Sequence, residues 1–205
     1  MKRDESVKKM AIQEKNKQDI QAKLAKMGDY VKIDYLNRAL GSGLDFETRK
    51  FVLLELSKLY EARSMYLEAG KLMKNAAEIN TTFKGKIMDF MKSVELLVRG
   101  GNYTEADQLF AQTLALATDR ERPELKQLIK GYYFVQARAY AKVDKRTNAK
   151  KAYEKLTTLE LNPVEKKEVQ DQLLALYQKL GNIKEFYKLR DGNVSGSGQN
   201  NQAKY

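Results

Sequence analysis

Apolar side chains recur along this chain at intervals of three, four and seven residues. In one representative stretch, Leu53, Leu56 and Tyr60 precede a short polar break, and Ala69 and Met73 follow it. This spacing puts the apolar side chains on one face of a helix. The pattern predicts an all-α protein of ten helices in five antiparallel pairs: 4–27 with 30–41, 46–62 with 65–79, 83–99 with 103–117, 122–142 with 146–158, and 163–179 with 183–190.

A short glycine-containing turn separates the predicted helices of several pairs. It appears as Gly28-Asp29-Tyr30, Gly101-Asn102-Tyr103 and Gly181-Asn182-Ile183. Glycine adopts the left-handed conformation that ends a helix, and Asp or Asn then caps the first N–H groups of the next one. Glu105 and Glu185 each follow the Asn by three residues, as in a capping box. The motif predicts tight turns between antiparallel helices.

The same spacing recurs along the chain. The residues five places after the turn glycines are Ile33, Ala106 and Phe186, and Ala69 and Ala149 are the intermediate matches. The steps between them are 36, 37, 43 and 37 residues, and periods of about 20–50 residues are typical of repeat proteins. The longer step is explained by a longer connection at 118–123, and atypical end repeats are expected of an array.

These positions resemble those of the tetratricopeptide (TPR) repeat family and of TPR-like repeats. The resemblance covers about residues 20 to 190. Its best match is the second pair of helices, with Leu53, Leu56, Ser57, Tyr60, Tyr66, Ala69, Met73 and Ala76. It implies an α-solenoid, a TPR-like superhelix of about five helix hairpins, in which the first helices of the pairs line a concave groove that binds an extended or helical peptide. The alternative is an ordinary helical bundle, although generic helices need not reproduce the turn tripeptide.

Composition along the chain predicts one repeat domain over 1–190 and a disordered tail over 191–205. The tail is rich in Gly, Ser, Asn and Gln and has few apolar residues to bury. The predicted first helix, within 1–27, is long and highly charged. The sequence leaves open whether it packs on the repeats or associates with a second copy of the chain.

The composition also argues against an enzyme. The 205 residues contain no His and no Cys, so imidazole and thiolate are unavailable as bases, nucleophiles or metal ligands. The glycine-rich phosphate-binding and nucleophile-elbow motifs are absent as well. We therefore expect a non-catalytic protein without a cofactor or metal. No apolar run approaches the ~20 residues of a membrane span, and we expect a cytoplasmic protein.

The resemblance implies which residues face the groove. The positions two residues before each turn, or their equivalents, hold Lys26, Ala62, Arg99, Lys142 and Lys179. One helical turn earlier lies a mixed row of Ala22, Lys58, Glu95, Arg138 and Ala175. Phe134 adds apolar surface to the same face. Cationic side chains suit a protein partner with an acidic peptide or a terminal carboxylate. The alternative is that Lys and Arg near helix C-termini only oppose the helix dipole.

The net charge of +11 suggests a second class of partner. Basic residues cluster in 138–155, together with three tyrosines. Phosphates and stacked bases of RNA would suit such a patch. The cluster consists of Arg138, Lys142, Lys145, Arg146, Lys150, Lys151 and Lys155. Tyr133, Tyr140 and Tyr153 also occupy predicted core positions, which favours packing over base stacking. Binding of RNA is therefore the alternative to binding of a protein.

Overall fold

The computed structural model describes residues 12–197, and their side chains as far as residue 191. The secondary structure of this part is entirely helical, which confirms the predicted all-α class. In chain order the helices are α1 (Lys17–Leu24), α2 (Asp29–Leu40), α3 (Phe46–Ala62), α4 (Tyr66–Glu78), α5 (Phe83–Arg99), α6 (Tyr103–Leu116), α7 (Arg122–Lys142), α8 (Arg146–Leu156), α9 (Pro163–Leu180) and α10 (Ile183–Ser197).

Four of the turns between helices share one backbone conformation. The residue at the centre of each is left-handed: Ser64 (φ 60°), Gly101 (φ 78°), Asp144 (φ 55°) and Gly181 (φ 68°). These residues lie 37, 43 and 37 positions apart. In every case the next residue donates its N–H to the carbonyl five residues back, at 2.8–3.0 Å; the pairs are Met65 with Tyr60, Asn102 with Leu97, Lys145 with Tyr140 and Asn182 with Tyr177. This is the Schellman arrangement, repeated in the predicted register.

The predicted turn at Gly28 does not belong to this set. Gly28 has extended dihedral angles (φ −76°, ψ 160°) and caps α2. Helix α1 has already ended at Leu24, so the connection to α2 is longer than a Schellman turn. The first hairpin therefore departs from the repeat, in line with its weaker sequence match.

Side-chain caps begin several helices. The Asn162 side chain accepts from the Glu165 N–H at 2.9 Å, and the Glu165 carboxylate accepts from the Asn162 N–H at 2.9 Å, a complete capping box. The Asn102 side chain likewise accepts from the Glu105 N–H. The Asn182 side-chain oxygen accepts from Lys150 Nζ at 3.2 Å, so this residue links α8 to the turn before α10.

The contacts divide the chain into two compact units, the first ending at Leu125 and the second beginning at Lys126. The sequence predicts a single domain over 1–190. The boundary falls next to the longer connection at 118–123, where the repeat spacing stretches to 43 residues. Helices that follow one another in the chain pack together, from α2 to α6 in the first unit and from α8 to α10 in the second.

Small side chains permit this packing. Ala69, Ala106 and Ala149, at the predicted small-residue position, are completely buried. In the first unit, two buried hydroxyls add specific cross-helix bonds: Ser57 Oγ donates to the Ala69 carbonyl at 3.0 Å, and Ser93 Oγ donates to the Gly70 carbonyl at 2.7 Å. Helices α3 and α5 are thereby both hydrogen-bonded to α4, because a buried hydroxyl needs a partner.

Of the predicted N-terminal helix over 4–27, the described part is helical only over Lys17–Leu24. Residues 12–16 are not helical, and Asn16 caps α1 through its side chain, which ends the helix in the N-terminal direction. Ile12 is buried in the core of the first unit, and Glu14 forms an ion pair with Lys23 at 2.9 Å. A continuous helix would not bring Glu14 back to the last turn of α1. Residues 1–11 lie outside the described part.

The boundary predicted for the C-terminal tail also differs. Helix α10 continues to Ser197, whereas the sequence predicts a disordered tail over 191–205. Once a helix is formed, each further residue adds a backbone hydrogen bond at little extra cost, so a helix can run into a polar segment. Residues 198–205 of the predicted tail lie outside the described part. Within the described residues, none of the helices combines the length and apolar character needed to cross a bilayer.

The left-handed turns can be tested with two glycines of the second unit. Both Gly181, at φ 68°, and Gly131, within α7, have open space where a Cβ would lie. We expect Gly181→Ala to lower the free energy of unfolding by about 1 kcal/mol, because an L-residue is strained in this conformation. The control Gly131→Ala should raise it by up to about 1 kcal/mol through helix propensity. Urea unfolding measures both, and effects of the same sign would contradict the assignment.

The Glu14 ion pair predicts a pH dependence. The hydrogen bond from Lys23 lowers the pKa of Glu14 to about 2. A lowered carboxyl pKa stabilises the folded state above the pKa of the unfolded chain, and this stabilisation is lost as the pH falls towards 2. Glu14→Gln should therefore lower the free energy of unfolding by up to about 1 kcal/mol at pH 7. The variant should also lose less stability than the parent as the pH falls. Thermal unfolding from pH 7 to pH 2.5 measures this. The control is Glu78→Gln at an exposed position, and its melting temperature should depend on pH as that of the parent does.

Candidate functional site

The candidate site lies on the A helices, by which we mean the first helix of each pair: α1, α3, α5, α7 and α9. The predicted groove residues occupy the C-terminal halves of α3, α5, α7 and α9, and Lys26 lies just after the end of α1. This surface is described within each of the two compact units in turn.

In the first unit, Arg99 is engaged within the protein. Its guanidinium contacts Glu61 of α3 at 2.5 Å and Glu95 of α5 at 3.5 Å, and donates to the Tyr66 hydroxyl at 3.0 Å. Lys92 Nζ contacts the same two carboxylates, at 3.0 and 3.1 Å. The guanidinium also stacks on the Tyr66 ring, 4.2 Å from its centre. We call these five residues the Arg99 cluster.

The ion pairs and the hydrogen bond of the Arg99 cluster join α3 to α4 and α5. Two carboxylates already balance its two cations, so Arg99 has no excess charge to offer an acidic ligand. A carboxylate from a partner would have to displace Glu61, which holds both cations. Arg99, predicted to bind a partner, is therefore placed by the structure in an internal ion-pair network.

The other predicted residues of the first unit are more exposed. Lys58 projects from α3 and pairs with Glu55 at 2.7 Å, with 71% of its side chain accessible. Lys26 lies exposed in the connection between α1 and α2. Nearby, a depression of about 260 Å³ separates α1 from α3, lined by Leu24, Phe51 and Leu59 among others. Lys17 Nζ lies 5.5 Å from the centre of the Phe51 ring.

In the second unit, Arg138 is paired as well. It forms a two-pronged ion pair with Glu168 of α9, through Nε at 2.8 Å and Nη2 at 2.7 Å. The guanidinium also lies 5.1 Å from the centre of the Phe134 ring. Phe134 is 7% exposed. These contacts join α7 to α9 and leave Phe134 buried, whereas 59% of the Arg138 side chain stays accessible, with its charge paired to Glu168.

A small pocket lies beside these contacts, where α7 ends and α9 runs past it. Its volume is about 140 Å³. The floor is built from small and aliphatic side chains, and the rim is charged. The lining residues are Ala141, Asp144, Arg146, Gln172, Ala175, Leu176 and Lys179. We call this the turn pocket, because the left-handed Asp144 stands at its edge.

The electrostatics of the turn pocket favour an acidic ligand. The Arg146 guanidinium donates two hydrogen bonds to the Asp144 carboxylate, from Nε at 2.8 Å and from Nη2 at 2.9 Å. This hydrogen-bonded pair, with a further contribution from Lys179, lowers the pKa of Asp144. Asp144 thus neutralises one cation of the rim and leaves Lys179 in excess. Lys142, two residues before Asp144, is exposed. Among the predicted groove residues of the second unit, Lys142 and Lys179 keep accessible charge that an acidic partner would use.

The basic cluster predicted for RNA is only partly open. Arg138 and Arg146 are both held by carboxylates, and Lys150 donates to Asn182 at 3.2 Å. Lys145 and Lys151 are exposed, and Lys155 is half-buried. Tyr133 and Tyr153 are completely or almost completely buried, and Tyr140 is half-buried. The expectation that the tyrosines pack in the core is confirmed for the first two, which therefore cannot stack on bases.

The excess charge resides mainly in the second unit. From Lys126 onward the sequence has 16 Lys and Arg against 8 Asp and Glu, a net charge of +8, which leaves +3 for the first unit. The A-helix surface of the second unit is thus the better match to an anionic ligand. The counter-charges Glu61 and Glu168 were missed from the sequence, and Glu95 was placed in the groove row without its pairing to Arg99. Glu61 and Glu168 lie 30 or more residues from the arginines that they bind, and the sequence carries no local signal for such pairs.

Comparison with known proteins adds no further constraint. No model of a known protein family matches the chain, and no curated protein shows a significant similarity to it.

The Arg99 cluster predicts a clear difference between two cations of the first unit. Arg99→Ala removes the ion pairs, the bond to Tyr66 and the stacking on its ring, and we expect a loss of about 1–2 kcal/mol in the free energy of unfolding. Lys58→Ala removes one exposed pair and should cost less than about 0.5 kcal/mol. Urea unfolding of the two variants measures the difference; equal effects would show that the cluster contributes nothing beyond a surface pair.

Proposed function

We propose that this chain is a non-catalytic protein-interaction module, a TPR-like scaffold whose second unit binds an acidic segment of a partner protein. The observation that carries the proposal is the turn pocket, where small apolar side chains form a floor next to the excess charge of Lys179 and the exposed Lys142. An acidic side chain could place its aliphatic part on Ala175 and Leu176 and its carboxylate near Lys179. Charge-assisted hydrogen bonds of this kind are among the stronger polar contacts.

The repeat arrangement supports the same proposal. Successive hairpins set the ends of α7 and α9 side by side, so that one extended segment would meet equivalent positions in turn. Ala175 and Lys179, predicted to face the groove, both line the pocket. In the first unit, the equivalent positions on α5 are Glu95 and Arg99, which neutralise each other. The difference between the two units supports placing the acid-binding surface in the second.

RNA binding through 138–155 is the weaker alternative. The basic cluster lies in the second unit, which carries most of the net positive charge. However, two of its seven basic residues form two-pronged ion pairs with carboxylates, and two of the three tyrosines are buried. Phosphate binding would then rest on exposed lysines alone, which give affinity without sequence readout.

Affinity purification with charge-reversal variants tests the proposal. Lys142→Glu with Lys179→Glu places two negative charges at the turn pocket, and we expect the recovered partner proteins to be reduced at least about ten-fold. The matched control, Lys166→Glu with Lys167→Glu, makes the same change in charge at exposed positions of α9 that do not line this pocket. Mass spectrometry of the eluates measures the difference.

Two outcomes would contradict the proposal. If both double variants recover the same partners as the parent, the turn pocket is not the binding surface. If recovery from the parent disappears after nuclease treatment, the partners are held through nucleic acid, and the RNA alternative is favoured.

A further inference from the structure

The edge of the second unit that carries its two hairpin turns combines positive charge with exposed aliphatic side chains. We call it the basic turn edge and define it as residues 142–146 and 179–184. Val143 is 61% exposed and lies between Lys142 and the left-handed Asp144. Ile183 is 66% exposed and is followed by Lys184. Each turn therefore presents one branched aliphatic side chain next to lysine.

The two turns lie next to each other. Asp144 and Arg146 of the first turn line the turn pocket together with Lys179, which immediately precedes the second. Lys150 of α8 donates to Asn182 in the second turn, which fixes their relative position. Val143 and Ile183 thus belong to one surface rather than to two unrelated loops.

The charge of this surface is strongly unbalanced. Lys142, Lys145 and Lys184 are exposed and Lys179 faces the pocket rim, whereas the acidic residues here are Asp144, paired with Arg146, and the exposed Glu185 directly after the edge. The unit as a whole carries +8. A lysine can bury its long aliphatic stem beside apolar groups while its ammonium group stays in water.

We propose that the basic turn edge docks on an anionic bilayer surface. Val143 and Ile183 enter the headgroup region, and the flanking lysines meet the lipid phosphates and carboxylates. Basic residues near such a surface are attracted by its negative potential, and apolar side chains provide the second contribution that stable peripheral binding needs. The contact is peripheral, since it uses two turns and no spanning helix.

The aliphatic side chains distinguish this partner from other polyanions. RNA phosphates would use the lysines but gain nothing from Val143 or Ile183, because base stacking needs aromatic rings. The proposal does not rest on the acidic-peptide site: the residues that decide it are Val143, Lys145, Ile183 and Lys184, none of which lines the turn pocket.

Co-sedimentation of the full chain with lipid vesicles tests the proposal. One set of vesicles consists of phosphatidylcholine alone, and the other contains phosphatidylserine as well. We expect binding to the second set only, weakened by salt. Val143→Asp with Ile183→Asp should reduce the partition coefficient at least about ten-fold. The control is Val164→Asp, which changes a 78% exposed aliphatic of α9 in the same unit and should have little effect on insertion.

The lysines are tested in the same assay. Lys145→Glu with Lys184→Glu should also reduce binding at least about ten-fold. Lys166→Glu with Lys167→Glu makes the same change in net charge away from the basic turn edge and should retain most of the binding. All of the changed residues are exposed, so melting temperatures close to that of the parent are expected and serve to check folding.

Several results would overturn the proposal. One is failure of the parent chain to bind the phosphatidylserine vesicles. Another is an equal loss in the two lysine variants, which would show unspecific attraction by net charge. A third is full binding by the aspartate variant, which would exclude insertion. If that third result is accompanied by binding of a single-stranded oligouridylate that depends on Lys145 and Lys184, the edge is a nucleic-acid surface instead.

Discussion

The left-handed residue after an A helix is the constraint on which the rest of the fold depends. It reverses the chain within a few residues, and the carbonyls at the end of the first helix are satisfied by the turn itself. Ser64, Gly101, Asp144 and Gly181 all serve this purpose. Since the reversal is the same each time, the residue five positions later occupies an equivalent place in the next helix: it is a completely buried alanine after Ser64, Gly101 and Asp144, and Phe186 after Gly181.

This regular geometry carries two different distributions of charge. In the first unit the last turns of α3 and α5 carry Glu61, Glu95 and Arg99, which join the helices by mutual ion pairs. In the second unit the corresponding end of α9 carries Lys179 beside a pocket with a small-residue floor. The same backbone therefore supports a closed, self-neutralised surface in one unit and a positively charged one in the other. Our proposals for protein and lipid partners both follow from this difference.

The two proposed surfaces of the second unit share a cause. A tight turn contributes few side chains to the hydrophobic core, so the residues around it remain exposed. These residues can therefore bind a partner without disturbing the core. Lys179 lines the turn pocket, whereas Val143, Lys145, Ile183 and Lys184 lie in the turns or directly beside them and do not line it. A partner protein and a bilayer would consequently meet neighbouring sets of residues that share Lys142 and Lys179.

The sequence by itself determined the helices and their period, because helix periodicity, capping residues and turn spacing are local properties: the bounds of α3, α5 and α7 agree with the predicted ranges. It also identified the buried alanines. Only the tertiary structure decided which cations remain available, since the partners of Arg99 and Arg138 lie 30 or more residues away in Glu61 and Glu168. The conformation of residues 12–16 could not be predicted from the sequence either. It depends on the burial of Ile12 and on the pairing of Glu14 with Lys23, and neither contact follows from the local sequence pattern.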